Sequence, residues 1–238
     1  MTSTTPAAFF DVDGTLTTAT SMFRFLEYRL AAEGNPPRAY REERQRLRAM
    51  TAAGVPRLET NRAYFAGYRG SSVSAIAALA EEWFRTELRL GGFFNGHVLS
   101  ALHEHRGAGH LVVLVSGSFR ACLDPIARYV GADVVLCSEP ETESGRYTGR
   151  VQRPMIGEAK SEAVRDLAAR RRIHLPSSTG YGDHESDLPL LRSVGRATVV
   201  GTDPVMRELA ARNNWRVLPG APSPAPLPLP STTEGVRS

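Results

Sequence analysis

The sequence predicts an α/β protein: a doubly wound, mostly parallel sheet interrupted by a helical insert. Three observations carry this. Short apolar runs recur along the chain, each followed by a segment with apolar residues at helical spacing. The region from about Met22 to Leu90 has helical patterns and no clear strand. Polar residues, acids above all, stand at the ends of the apolar runs. Strand alternating with helix favours a parallel sheet covered by helices.

The first strand is "AAFFDV" (7–12), and Asp11 and Asp13 lie at its exit beside the turn residue Gly14. In the insert, "MFRFLEYRLAAEG" stacks Phe23, Leu26 and Leu30 on one face, and "SVSAIAALAEEWFRTELRL" stacks Ile76, Leu79 and Trp83. Pro36–Pro37, Gly54–Pro56 and Gly70 break the helices. The basic run "RAYREERQRLR" (38–48) reads as a charged outer face, from which an arginine can still reach an anionic substrate. The aromatics Phe23, Tyr64, Phe65 and Tyr68 are expected in the core of the insert, with a pocket-facing role as the other option.

The later strands are "LVVLVS" (111–116), "DVVLCS" (133–138), "STGYGD" (178–183) and "RATVVG" (196–201), with "WRVLP" (215–219) as an edge strand. "FRACLDPIARYVG", "IGEAKSEAVRDLAARR" and "SDLPLLRSVG" supply the intervening helices, and "SGRYTGRV" (144–151) reads as a small hairpin or flap. The expected organisation is a core of residues 1–20 and 91–218, a helical cap of 21–90, and a disordered Pro-rich tail of 219–238.

Composition narrows the function classes. Hydrophobic residues make up 42% and charged residues 23%, ordinary for a soluble globular chain. The formal charge of +4 comes without a basic block interleaved with aromatics, which argues against nucleic acid. Cys122 and Cys137 share no metal or redox spacing and fit a reducing compartment. The N-terminus lacks a basic n-region, and no run approaches the ~18 apolar residues of a membrane span. The expectation is a cytoplasmic protein with no membrane partner.

In an open parallel sheet, ligands bind beyond the carboxyl ends of the strands. Four polar clusters arrive there: Asp11 and Asp13; Ser116 and Gly117 after "LVVLV"; Lys160 at a helix start; Asp183 and Asp187 after "STGYG". Carboxylates leaving water need partners or a cation. Hard oxygen donors suit Mg²⁺, and a lysine and a serine suit the oxygens of a phosphate. His103 and His105, two apart on a helix, face different ways and make a poor ligand pair. His184 reads as a loop histidine that can line the pocket.

"DVDGTLT", "LVSGS", "GEAK" and "GYGDHESDLP" stand in the order of the four motifs of the haloacid dehalogenase-like (HAD) superfamily. The chain resembles its phosphoserine phosphatase-like subfamily IB over roughly residues 7–218, with "GRYTGRV" and a C1-type cap insert adding to the likeness. The resemblance implies a Rossmannoid core and an Mg²⁺-dependent phosphomonoester hydrolase acting on a small phosphorylated substrate. In that reading Asp11 is the nucleophile and forms an aspartyl-phosphate. Asp13 is the general acid and then base, and must be protonated when substrate binds. Asp11, Asp183 and the Asp13 backbone carbonyl hold the metal. Ser116, the Gly117 amide and Lys160 bind the phosphoryl group. Asp187 orients metal-bound water or Lys160, and Thr15 orients the Asp13 carboxyl.

Two places depart from the pattern. Thr20 stands where phosphoserine phosphatases usually carry a glutamate for the substrate's ammonium, and Ser186 replaces an asparagine. A threonine hydroxyl supplies no such charge, so another small molecule is the expected substrate. The rival readings are a phosphotransferase or mutase using the same intermediate, and a catalytically idle domain serving as a binding module. Dehalogenase chemistry fits least, since it has no use for the acid at Asp13.

Overall fold

A computed structural model describes residues 5–222. Most of the expected tail, from residue 223 on, lies outside the described residues. The chain runs β1 (Ala7–Phe10), α1 (Ser21–Ala32), α2 (Pro37–Ala52), α3 (Arg57–Ala66), α4 (Val73–Leu90), α5 (Gly96–Gly107), β2 (Leu111–Phe119), α6 (Arg120–Val130) and β3 (Val134–Ser138). It continues with β4 (Pro140–Glu143), β5 (Arg146–Val151), α7 (Glu158–Arg171), β6 (Thr179–Gly182), α8 (Leu188–Arg192), β7 (Arg196–Val200), α9 (Pro204–Arg212) and β8 (Arg216–Leu218).

Six strands form one parallel sheet in the order β3-β2-β1-β6-β7-β8. β1 is buried on both faces, so it is apolar throughout rather than alternating. Its period of two still decides the packing. Ala8 and Phe10 join the large core shared with the insert, while Ala7 and Phe9 pack with Val164 and Leu167 of α7. The chain winds to β2 and β3 on one side of β1 and to β6, β7 and β8 on the other. That reversal opens a crevice at the carboxyl end of β1, where the polar motifs arrive.

Two details differ from the sequence reading. β2 continues through Ser116 and Gly117 to Phe119, with a register shift against β3 between Ser116 and Phe119. The hairpin is longer than "SGRYTGRV": its first strand is the polar Pro140–Glu143, whose β-structure comes from pairing with β5 rather than from its own propensity.

The helices α1–α4 lie between β1 and β2 in the chain and close over the crevice. Phe119, at the end of β2, packs its ring against Phe65 and Tyr68 of the insert at centroid distances of 5.3 and 5.2 Å. The hairpin is tied in as well, Gly70 N–H donating to the Tyr147 carbonyl at 2.8 Å. Within the insert, the fully buried Glu87 accepts from Trp83 Nε1 at 2.8 Å and from both ends of the Arg24 fork at 2.8 and 2.7 Å. A buried carboxylate is tolerated there because its acceptor sites are filled.

Candidate active site

The loop after β1 is built to turn two acids into the crevice. Asp11 N–H extends the ladder to the Tyr181 carbonyl at 3.0 Å. The chain then doubles back, with Thr17 N–H and its hydroxyl both donating to the Val12 carbonyl at 2.8 and 2.9 Å. Gly14 has φ +94°, and a Cβ there would run into the Asp183 carboxylate. Only glycine meets both demands.

Asp13 is directed to the insert: its Oδ1 accepts from the Ser21 N–H, the first residue of α1, at 2.8 Å. Burial pushes the Asp13 carboxyl above its ordinary pKa, against the opposing pull of Ser21, Lys160 and Arg57. A raised carboxyl is what a proton donor at this position requires.

Thr15 differs from the sequence expectation. Its hydroxyl donates to Asp183 Oδ1 at 2.9 Å, so it orients the acid that follows β6 rather than Asp13. Residues two apart on a tight loop point to different partners, which adjacency in sequence conceals.

Lys160 sits in the first turn of α7 and is buried. Its ammonium donates to Asp11 Oδ1 at 2.5 Å and Asp187 Oδ1 at 2.6 Å, leaving one of its three N–H donors for another ligand. Burial opposes its charge, but Asp11 and Asp187 outweigh that and raise its pKa. Asp187 Oδ2 in turn accepts from the backbone N–H of Asp183 and His184 at 3.3 and 3.2 Å. Asp187 therefore fixes both the lysine and the loop after β6.

The peptide between Gly117 and Ser118 is held from three sides. Its carbonyl accepts from Asn61 Nδ2 at 3.0 Å and Ser138 Oγ at 2.8 Å, and its N–H donates to Ser116 Oγ at 3.0 Å. With the Ser116 oxygen so engaged, its hydroxyl proton remains free to donate.

The acids test whether a cation fits. Asp11, Asp183 and Asp187 each present a carboxylate oxygen within 4.8 Å of the others. Burial first, then Asp187, pushes Asp11 well above its ordinary pKa and Asp183 up to about 6. Three carboxylates share one ammonium, and that excess of negative charge is what a divalent cation with oxygen ligands relieves. Asp187 has both oxygens engaged, whereas Asp183 Oδ2 carries no hydrogen bond from the described residues. The donor set thus favours Asp11 and Asp183 as ligands and Asp187 as their support.

Above these residues lies a cavity of about 350 Å³, the size of a metabolite pocket. Asp11, Asp13, Ser116, Gly117 and Lys160 form its catalytic end; Phe23, Arg44, Leu47, Arg48, Arg57, Asn61 and Tyr64 line it from the insert. Thr20, His184 and Ser186 complete the wall, so the histidine of the fourth motif does face the pocket. Of the four aromatics, Phe23 and Tyr64 line the cavity, while Phe65 and Tyr68 are buried in the core. His105 stands apart, bonded to His110 Nδ1 at 2.8 Å and the Tyr181 hydroxyl at 2.9 Å. Cys122 and Cys137 are free thiols in the core.

Sequence reasoning missed Asn61 and Arg57. Asn61 is buried, and its Oδ1 has no hydrogen-bond partner among the described residues. The signal was present: Asn61 and Tyr64, three apart, share one face of α3, and a polar residue beside a core aromatic marks a specific partner. The positive charge of Arg57 reaches Asp13, Asp183 and His184.

Residues 8–192 match the sequence profile of the haloacid dehalogenase-like hydrolases. The "Inhibition of morphological differentiation protein" of Streptomyces azureus is 30% identical over 216 residues, 89% of this chain and 77% of that one. "Phosphoserine phosphatase SerB1" of Mycobacterium tuberculosis (strain H37Rv) is 31% identical over 224 residues, 90% of this chain and 70% of that one. A crystal structure of a protein of unknown function from Bordetella pertussis Tohama I superposes with a TM-score of 0.81 at 28% identity, covering 91% of this chain and 99% of that one.

Proposed function

Because this chain belongs to the haloacid dehalogenase-like hydrolase family, we propose that it is a phosphatase that removes the phosphoryl group of a small phosphomonoester through an aspartyl-phosphate on Asp11. The observation that carries this reading is the Lys160 ammonium, buried between Asp11 and Asp187 at the catalytic end of the cavity. A solvated lysine would have no reason to leave water for that position. The phosphatase relative from Mycobacterium tuberculosis supports the same reaction class.

In this reading the Asp11 carboxylate attacks phosphorus and the P–O bond to the alcohol breaks. Asp13 gives its proton to the departing oxygen, then takes one from the water that splits the aspartyl-phosphate and frees inorganic phosphate. The third N–H of Lys160, the Ser116 hydroxyl and the Gly117 amide hold the phosphoryl oxygens throughout. Asp11, Asp183 and the Asp13 carbonyl would hold Mg²⁺. Bound there, the ion neutralises charge on the phosphoryl group and on the acids. Asp187 keeps Lys160 in place, and Thr15 keeps Asp183 turned inward. The insert, residues 21–90, is the cap that closes the site, and the two free core thiols favour a reducing, cytoplasmic setting.

The test is hydrolysis of p-nitrophenyl phosphate with Mg²⁺, with EDTA, and by Asp11→Asn. Turnover is expected in the first case only; equal rates in all three would defeat the assignment.

A further inference from the structure

The catalytic end accounts for one phosphate, yet the cavity carries positive charge well beyond it. Arg44 and Arg48 of α2 line the wall formed by the insert, one helical turn apart on the same face. Among the described residues, the only acids of the lining are Asp11 and Asp13. Thr20, which also lines the cavity, offers no charge to an ammonium.

The neighbouring arginines behave differently. Arg46 on α2 pairs with Glu43 at 2.6 Å, and Arg62 on α3 pairs with Glu59 at 2.6 Å, both along their own helices. Among the described residues, neither Arg44 nor Arg48 has a carboxylate within 4.0 Å. The charge of Arg44 acts on Glu27, which does not line the cavity. Arg44 is also held in position, its guanidinium lying 3.8 Å above the ring of Phe23. Beside Tyr40, which it also neighbours, the stacked guanidinium still has N–H groups to offer, and its planar fork matches a carboxylate or phosphate. Leu47, Met155 and Ile156 supply apolar wall for a carbon spacer.

We propose that the substrate is a phosphomonoester whose far end bears a second anionic group and no ammonium, received by Arg44 and Arg48. This rests on the phosphatase reading and adds the substrate class to it. It also assigns part of the basic run on α2 to specificity.

The experiment measures binding of alkane-α,ω-diol bisphosphates of graded length, the corresponding alkyl monophosphates and phosphoethanolamine to Asp11→Asn protein with Mg²⁺. The bisphosphate of fitting length should bind at least about tenfold tighter than its monophosphate, the lower range for a hydrogen bond to a charged group. Arg44→Gln with Arg48→Gln should close that gap, and Arg46→Gln should leave it. No gap, a preference for phosphoethanolamine, or a gap that survives the double substitution would overturn the inference. Turnover of p-nitrophenyl phosphate by the unaltered protein reports on the reaction separately. Turnover without a binding gap sinks this inference alone; a gap without turnover sinks the phosphatase reading and with it the substrate role, leaving Arg44 and Arg48 as a binding site for a second anion.

Discussion

Asn61 of the helical insert donates from Nδ2 to the Gly117 carbonyl of the core at 3.0 Å. This bond joins the lid of the cavity to the strand end, Ser116 and Gly117, that lines its floor. It acts on Ser116 through one rigid peptide, since the N–H of that peptide holds the Ser116 oxygen. Asn61→Ala should lower kcat/KM by roughly two- to tenfold, the range of one neutral hydrogen bond. Asn61→Asp should lower it further, because a carboxylate has no N–H for Gly117 and brings negative charge to an anion site. Steady-state kinetics on both variants checks this; an Asp variant as active as the parent would remove Asn61 from the site's support.

Asp13→Asn keeps the shape of the side chain and removes its proton transfer. With an alkyl phosphate, whose alkoxide needs protonation, the loss should be at least ~100-fold. With p-nitrophenyl phosphate the first step needs less help, so the burst of p-nitrophenolate should survive while the steady rate falls. Stopped-flow traces with the two esters distinguish these outcomes, and equal losses in both phases would assign Asp13 a purely structural role.

Thr15 holds Asp183 rather than Asp13. Thr15→Val preserves volume and deletes the donor, so the Asp183 carboxylate loses its orientation. Outer contacts of this kind commonly change metal affinity by about 10- to 100-fold. The expected result is a higher Mg²⁺ requirement with near-parental turnover at saturating Mg²⁺, read from a metal titration.

His105 gives a prediction on stability and pH. Burial, with His110 beside it, holds its pKa below the ordinary value; Arg196 and Arg216 add to that, and Glu104 opposes it. In the unfolded chain His105 protonates near ~6.5. Between its folded and unfolded pKa values the unfolded state binds the extra proton, so stability is full above ~6.5 and falls as pH drops below it. His105→Gln should flatten this slope, because a glutamine does not titrate there. Denaturant midpoints of both proteins at pH 7.5 and pH 5.5 measure it; parallel slopes would deny His105 a share.

The parallel sheet and its catalytic edge were legible because buried parallel strands are apolar runs, and the residues at their ends are obliged to be polar. What eluded the sequence depended on three-dimensional pairing. Pro140–Glu143 has no strand signature, and only β5 beside it makes it one. Arg44 and Arg48 look like the rest of a charged helix until the cavity selects their face. Thr15 and Asp13 are two apart in the chain, yet their partners, Asp183 and Ser21, lie in different directions.

The bonds of Lys160 span 149 residues to Asp11 and 27 to Asp187. In chain order Asp11 precedes both the lysine and its counter-acid. Until β6 has docked beside β1, Asp11 lacks the buried cradle that Lys160 and Asp187 complete. A polypeptide stopped short of Asp187 therefore lacks the acid that holds Lys160 beside Asp11, and under the proposed reading it should not turn over phosphate esters.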